Sequence, residues 1–471
     1  MKDSLFRLIP SVDVLIGRPE GQRLADAFGR PPALEAIRET LEAVRADIQA
    51  AADGGAAVIG AADLAPDALL GRVRARLERR LAPSLGRAIN ATGIVIHTGL
   101  GRAVLAAEAR AALARVSLGY SGLAVDFETG QRGHRDVHYA SLLRDLTGAE
   151  AGFVVNNNAA ATVIILNTLA RGKEVLLSRG QLVEIGGSFR MPDVMETSGA
   201  ILREVGTTNK THLRDYEGAI SDRTGLILRV HHSNYRIMGF AEEPGIEELV
   251  ELGRKHGLPV VDDIGSGALV DLKAYGLETE PLVRKSVRSG ADAVCFSGDK
   301  LIGGPQAGII VGKADAVARI KKNPLARAFR VGKLTAAALE ATLKLFLDPD
   351  RLRERHPVYR MLGLDAPEIG RRAKRAADAL APALAGRARV SVAEDRSQVG
   401  SGSVPVETLP TFVLNVEPDS VAPEELARRL RKGDPAVFVR VHKDALYLDF
   451  RTIFPEEDAA VLAALRAAFG A

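Results

Sequence analysis

The chain has 471 residues, a length that favours roughly two to four domains and excludes a lone peptide-binding module. Hydrophobic residues make up 46% and charged residues 26%, close to the average for globular proteins, which excludes a disordered or collagen-like chain. Against 63 Lys and Arg stand 59 Asp and Glu, a net charge of +4, so any polyanionic partner has to be met by local patches.

The stretch from Met1 to Gly17 holds a short apolar run broken by Pro10 and Asp13, too polar for a secretory signal. No run of ~18 apolar residues occurs that would span a membrane. From Pro19 to about Ala82 apolar residues recur at three- and four-residue steps, as in Leu34, Ile37, Leu41, Val44 and Ile48, which predicts helices, and Pro31 and Pro32 suit a helix start. A Gly- and Ala-rich link around Ala51 to Ala62 separates these from a second helical segment opened by Asp67. Between Pro66 and Arg87 that segment carries six Arg against Asp67 and Glu78, which reads either as a solvated helix face or as a surface for RNA phosphates.

From about Leu85 to Leu345 short β-branched runs alternate with helical stretches: Gly152 to Val155, Glu174 to Leu177, Gly225 to Val230, Pro259 to Asp262, Ala293 to Ser297 and Ala307 to Val311. The alternation predicts an α/β core, a mostly parallel sheet with helices on both faces, whose ligands sit at the carboxyl ends of the strands. After a helix near Ala336 to Leu347, the remainder reads as a small α+β domain. Its helices lie near Ile369 to Leu384, Pro423 to Arg431 and Glu456 to Phe469, and its strands at Arg389 to Val392, Thr411 to Val416, Val437 to Val441 and Ala445 to Asp449. The expected organisation is therefore an N-terminal helical domain over 1–66, a basic helical linker over 67–85, a catalytic core over 86–345 and a small C-terminal domain over 346–471. The single cysteine, Cys295, excludes an internal disulfide and a Cys-rich zinc module. His134 with His138, and His231 with His232, lack the carboxylate or thiolate partners that would complete a metal site.

Three strand ends carry chemistry. Val294-Cys295-Phe296-Ser297-Gly298-Asp299-Lys300 leaves the apolar interior and ends in a lysine beside the Gly-rich Gly303-Gly304-Pro305 turn, where burial lowers an amine's proton affinity and favours Schiff-base formation. Val260-Val261-Asp262-Asp263-Ile264-Gly265-Ser266-Gly267 ends in two carboxylates, of which one should point inward and needs a cationic partner such as a protonated pyridine nitrogen, the logic of pyridoxal phosphate binding. Phe153-Val154-Val155 runs through Asn156, Asn157 and Asn158 into the Ala-rich helix begun by Ala159, a helix N-terminus suited to a cofactor phosphate, with Ser297 a donor from the opposite side.

These residues, together with Asn90-Ala91-Thr92-Gly93, His97-Thr98-Gly99-Leu100-Gly101-Arg102, Gln131-Arg132-Gly133-His134-Arg135, His232-Ser233-Asn234-Tyr235-Arg236 and Leu8-Ile9-Pro10-Ser11-Val12-Asp13, resemble the bacterial selenocysteine synthases, the L-seryl-tRNA(Sec) selenium transferases. The resemblance runs through essentially the whole chain. One departure is Gly99, where the family more often has Asn. It implies a fold-type-I enzyme using pyridoxal 5'-phosphate, cytoplasmic, assembled as a homodecamer of dimers, with the N-terminal domain gripping the tRNA. Neither a membrane nor DNA is an expected partner. The substrates implied are seryl-tRNA(Sec) and selenophosphate, with β-elimination to a dehydroalanyl intermediate followed by selenium addition.

By the same resemblance Lys300 is the Schiff-base lysine, Asp263 the pyridine partner and Asp299 a catalytic carboxylate. Arg102, Arg135, Arg327 and Arg330 hold the selenium donor's phosphate, as bidentate guanidinium forks suit. Arg327 and Arg330 share one face if their segment is helical. His232 lies near the cofactor, and Gln181, at the end of its strand, is a candidate to stack on the ring. A desulfurase would need a mobile thiol, whereas Cys295 lies on the buried strand before Lys300. A related lyase acting on a phosphorylated amino acid or amino-sugar acid is the alternative, but about 85 residues precede the core, an extension that such a lyase has less need of. A non-catalytic RNA-binding protein would not keep Lys300, Ser297 and Asp263 together.

Overall fold

In the computed structural model, which describes residues 2–52, 60–186, 189–278 and 280–470, the chain divides into two units, Met1–Arg87 and Ala88–Ala471. The first unit consists of helices α1 (Lys2–Leu8), α2 (Val12–Gly17), α3 (Pro19–Phe28), α4 (Arg30–Ala52) and α5 (Pro66–Leu81). Ile37, Leu41, Val44 and Ile48 all face its core, as their spacing requires. Gly21 lets α3 cross close to α2, because a Cβ there would stand 2.1 Å from the Leu15 carbonyl oxygen.

The expected linker over 67–85 is not a linker. Leu69, Leu70, Val73 and Leu77 form an apolar face on α5 that is buried in the same core as α4, so the helix is an integral wall of the unit. The Gly/Ala-rich link expected around Ala51 to Ala62 falls mostly on residues 53–59, outside the described residues; Ala61–Leu64 forms a short turn that buries Leu64.

The second unit is organised by a seven-stranded sheet. Its strands are β2 (Ala151–Val155), β3 (Glu174–Ser178), β6 (Ile201–Val205), β7 (Thr224–Val230), β8 (Val260–Gly265), β9 (Ala293–Ser297) and β10 (Gly308–Gly312), in the spatial order β2-β10-β9-β8-β7-β3-β6. Every neighbouring pair is parallel except those of β10, which runs antiparallel to both β9 and β2. β9 and β10 are buried along their whole lengths, as strands covered on both faces must be. β6, absent from the sequence reading, is an edge strand: Ile201, Arg203 and Glu204 are exposed, so it offers no apolar run. A two-residue ribbon, β4 (Glu184–Ile185) with β5 (Phe189–Arg190), follows β3.

The C-terminal region builds a four-stranded antiparallel sheet from β11 (Ala388–Gly400), β12 (Ser403–Pro418), β15 (Ala445–Asp449) and β14 (Arg440–His442). The run expected from Val437 to Val441 is two strands, β13 (Ala436–Phe438) and β14. β13 pairs in parallel with β1 (Ala88–Asn90). The small domain is therefore not made from 346–471 alone; the first residues of the second unit belong to it. Gly93 continues the join with φ +76, where an added Cβ would stand 2.2 Å from Asp449 Oδ2. No helix among the described residues is long and apolar enough to cross a membrane.

Candidate active site

The two strand-end carboxylates of β8 point to opposite sides. Asp262, fully buried, accepts from Arg229 Nη1 at 3.1 Å and from Ser286 Oγ at 2.5 Å, a paired and hydrogen-bonded charge of the kind that is tolerated inside a protein. Asp263 faces helix α8 (Asn158–Leu169) and accepts from Asn158 Nδ2 and Thr162 Oγ1, both at 2.8 Å. Burial pushes its carboxyl above the usual range, against the pull of those two donors and of Lys300. Alternation along a strand requires that two adjacent acids diverge. The partners settle which one turns toward α8.

Lys300 lies in the connection from β9 to β10, a closed circuit in which Gly298 N donates to Ala307 O and Gly304 N to Gly298 O, each at 2.8 Å. The side chain is buried, and its Nζ lies 4.0 Å from where a Cβ on Gly265 would be. Burial lowers the amine's affinity for a proton, and Arg102 adds to that effect; Asp263, Asp299 and Glu280 oppose it. Arg102, in the left-handed region at φ 65, directs Nη1 to both oxygens of Asp299, at 3.0 and 2.8 Å. The turn beyond Lys300 rests on His356, whose Nε2 lies 2.9 Å from Ile302 O. Gly303 passes over that ring with φ +65.

At the N-terminus of α8, Asn157 is the cap: its side chain accepts from Ala160 N at 2.9 Å. The amides of Asn158 and Ala159 then have no hydrogen-bond partner among the described residues, which leaves two donors on the positive end of a helix dipole. Asn158 Oδ1 is buried and also lacks a partner. Gly308 of β10 makes this approach possible, since a Cβ there would stand 2.1 Å from Asn157 O. Ser297, buried at the end of β9, sits opposite Gly308 in the register.

The remaining expected residues fall into two further groups. His232 Nε2 lies 2.8 Å from Gly180 O, with its ring edge-on to Tyr235 at 4.9 Å. Gln181 accepts from Val230 N and donates to Glu243 Oε2, both at 3.0 Å, which leaves only its plane for any ring. Arg135, which donates to Val331 O at 2.7 Å, has its hold on a proton weakened by burial and by the charges of Arg330 and Arg327. The helical face expected for Arg327 and Arg330 does not hold them both. The helix covers only Leu325–Ala328; Phe329 O accepts from Asn156 N at 2.9 Å and Arg330 bridges Val155, which draws the chain onto the end of β2. Arg102 is paired with Asp299.

Two residues went unread in the sequence. Thr162 lies one helical turn beyond Asn158, an i,i+4 relation that would have found it. Glu280 is buried among Ser266, Val404 and His231 beside Lys300, and no local pattern announces it. In the first unit a groove of about 520 Å³ is lined by Glu39, Thr40, Arg72, Arg76, Arg79 and Arg80. Most of its basic stripe is answered internally: Arg72 pairs with Asp47, Arg74 with Glu20, Arg76 with Glu39 and Arg80 with Glu35. Among the described residues no cluster of His, Cys, Asp and Glu is arranged to hold a metal.

Comparison with known proteins supplies the context for this geometry. The family described as L-seryl-tRNA selenium transferase matches residues 88–454, and the one described as selenocysteine synthase N terminal matches residues 6–45. A curated L-seryl-tRNA(Sec) selenium transferase of Solidesulfovibrio magneticus is 50% identical over 96% of each chain. That of Nitratidesulfovibrio vulgaris is 48% identical over 99% of each. Among solved structures, D-glucosaminate-6-phosphate ammonia-lyase covers 84% of this chain and 98% of its own at a TM-score of 0.58 and 21% identity, a likeness of fold.

Proposed function

The chain belongs to the L-seryl-tRNA selenium transferase family, and on that premise we propose that it converts L-seryl-tRNA(Sec) to L-selenocysteinyl-tRNA(Sec). The seryl hydroxyl is eliminated and selenium is added from selenophosphate. The observation that carries this reading is the buried pair of Lys300 and Asp263 on neighbouring strand ends beside the open amides of α8.

The residues fit pyridoxal 5'-phosphate. Asp263 is a buried carboxylate with two neutral donors and no cation in hydrogen contact among the described residues, which suits a protonated pyridine nitrogen. The free amides of Asn158 and Ala159, with Ser297 across from them, suit a phosphate. When bound, the cofactor supplies an electron sink for the seryl α-carbon. Lys300 is the amine to hold it and to move the α-proton at Nζ, because burial and Arg102 favour its neutral form. Asp299 keeps Arg102 in place beside that amine. Arg135, Arg327 and Arg330 are the anion site for selenophosphate, supported by the repulsion that Arg330 and Arg327 exert on Arg135, which a multiply charged phosphoryl group would relieve.

In the same reading the protein acts in the cytoplasm as a homodecamer of dimers, and Met1–Arg87 grips the tRNA. Arg79 supports the tRNA role, since it lines the groove without an ion-pair partner among the described residues. The test is the product. The full-length protein is incubated with seryl-tRNA(Sec) and selenophosphate, and the amino acid released from the tRNA is identified by mass. Selenocysteine is expected. Unchanged serine, from protein in which borohydride fixes the cofactor to Lys300, overturns the substrate assignment.

A further inference from the structure

Three carboxylates act on Lys300, and the structure holds them in different ways. Asp299 is neutralised by Arg102, whose Nη1 touches both of its oxygens. Asp263 accepts two hydrogen bonds from α8 and faces the expected cofactor. Glu280 is buried and, among the described residues, bonded by neutral donors alone: Ser266 Oγ bonds one oxygen, and Val404 N donates to the other at 3.1 Å. His231 Nε2 stands 3.9 Å from that second oxygen, but burial drives the imidazole's proton affinity down to about 3, so it faces Glu280 as a neutral ring. Glu407 adds a repulsion. Among the described residues the charged groups facing Glu280 are thus Lys300 and Glu407, with His231 uncharged.

We propose that Glu280 is a positioning residue that sets the charge on Lys300. Its attachments explain why it can. Ser266 belongs to the Gly265-Ser266-Gly267 turn that follows Asp263, and Lys300 Nζ comes within 4.0 Å of a Cβ position on Gly265. Val404 is the second residue of β12, just after the turn from β11, and Ser401, Gly402 and Val404 all have φ between 50 and 66. A β-branched residue in that region is an outlier which its surroundings must hold. The carboxylate of Glu280 supplies an acceptor for its amide. With Asp299 already paired and Asp263 committed to α8, Glu280 is the carboxyl whose gain or loss of a proton changes the field at Lys300 near neutral pH; burial pushes it up to about 7. Ionised, it favours the ammonium form of Lys300. Protonated, it releases Lys300 to the free amine.

The inference rests on Lys300 being the reactive amine, yet its test needs neither tRNA nor selenium donor, so its failure is distinct from failure of the substrate assignment. The full-length chain, freed of cofactor, is pulsed with acetic anhydride across pH 6 to 10, and modification of the Lys300 peptide is quantified by mass. In Glu280→Gln the labelling midpoint should fall by at least about half a pH unit, a roughly threefold rise in labelling below the midpoint. Glu280→Asp, which keeps the charge, should restore most of the original curve, and Ser266→Ala should shift it in the direction of Glu280→Gln by a smaller amount. A merely structural role would lower thermal stability and leave the labelling midpoint in place. If Glu280→Gln does not fold, Ser266→Ala and Glu280→Asp carry the test. Coincident labelling curves in every folded variant overturn the proposal.

Discussion

Replacing Gly303 by alanine tests whether the turn beyond Lys300 is held by contact with His356. An alanine Cβ at this position would stand 2.0 Å from His356 Cε1 and 2.5 Å from Nε2. The ring cannot swing away freely, because it is fully buried and packs edge-on against Phe346 and Tyr359 at 5.4 and 4.9 Å. Two costs add. A left-handed conformation in a residue with a Cβ costs about 1–2 kcal/mol, and displacing His356 from Ile302 O leaves buried polar groups unpaired at about 1–3 kcal/mol. Gly303→Ala should therefore cost about 2–5 kcal/mol alone, but only the backbone share, about 1–2 kcal/mol, in a His356→Ala background. The assay is urea denaturation followed by near-ultraviolet circular dichroism of tyrosine. The chain has no Trp, and its seven Tyr, from Tyr120 to Tyr447, all lie in the second unit, so the signal reports that unit alone. Equal costs in the two backgrounds, within about 0.5 kcal/mol, would refute the reasoning.

Thr162→Val removes one of the two donors to Asp263 and should weaken cofactor retention about three- to tenfold, read as the ratio of bound cofactor to protein after dialysis; unchanged retention would remove Thr162 from the site. Arg327→Ala and Arg330→Ala should each raise the inhibition constant of inorganic phosphate about tenfold and flatten its salt dependence; a phosphate constant indifferent to both changes would dissolve the anion site. Burial holds His231 and His356 down to about 3 and about 4, below the usual 6.5. Their contribution to stability is thus complete above pH 6.5 and lost as pH falls through about 4 for His356 and about 3 for His231. Each should cost about 3 kcal/mol by pH 4.5, so the tyrosine-monitored midpoint should drop steeply over that window, and less in His356→Gln. A midpoint that stays level from pH 7 to 4.5 would show that these rings are not buried in neutral form.

The parts of the fold that were legible in the sequence are those whose burial is unconditional. Ala293–Ser297 was read to the residue because a strand covered on both faces must be apolar throughout. β6 was not, because an edge strand with Arg203 and Glu204 exposed has no such obligation. β11 and β12 extend through Glu394 to Gln398 and Ser403 to Leu409, where register with each other, not hydrophobicity, defines the strand. β1 has three residues and gains its identity from β13, far away in the chain.

The site divides in the same way. Strand-end position marked Lys300, Ser297 and the two aspartates, and cap chemistry marked Asn157 and Asn158. Alternation says only that Asp262 and Asp263 diverge; which of them turns toward α8 follows from Arg229 and Ser286, which hold Asp262 on the other side and are not near it in sequence. Glu280 was invisible because its meaning comes from Val404, more than a hundred residues later. Spacing puts Arg327 and Arg330 on one face only if their segment is helical, but the chain there answers to the end of β2, not to its own periodicity.

The pairing of β1 with β13 has a consequence for the order in which the protein is made. Ala88 to Asn90 leave the ribosome long before Ala436 to Phe438 exist, and Ala91 O and Gly93 N likewise wait for Asp449 and Thr452. Domains fold vectorially during synthesis, but non-local contacts cannot form before both partners emerge. The seven-stranded sheet that carries Lys300 has all its strands once β10 has emerged, whereas the pairing of β1 waits for β13, so the sheet and the seam become available at different stages of synthesis.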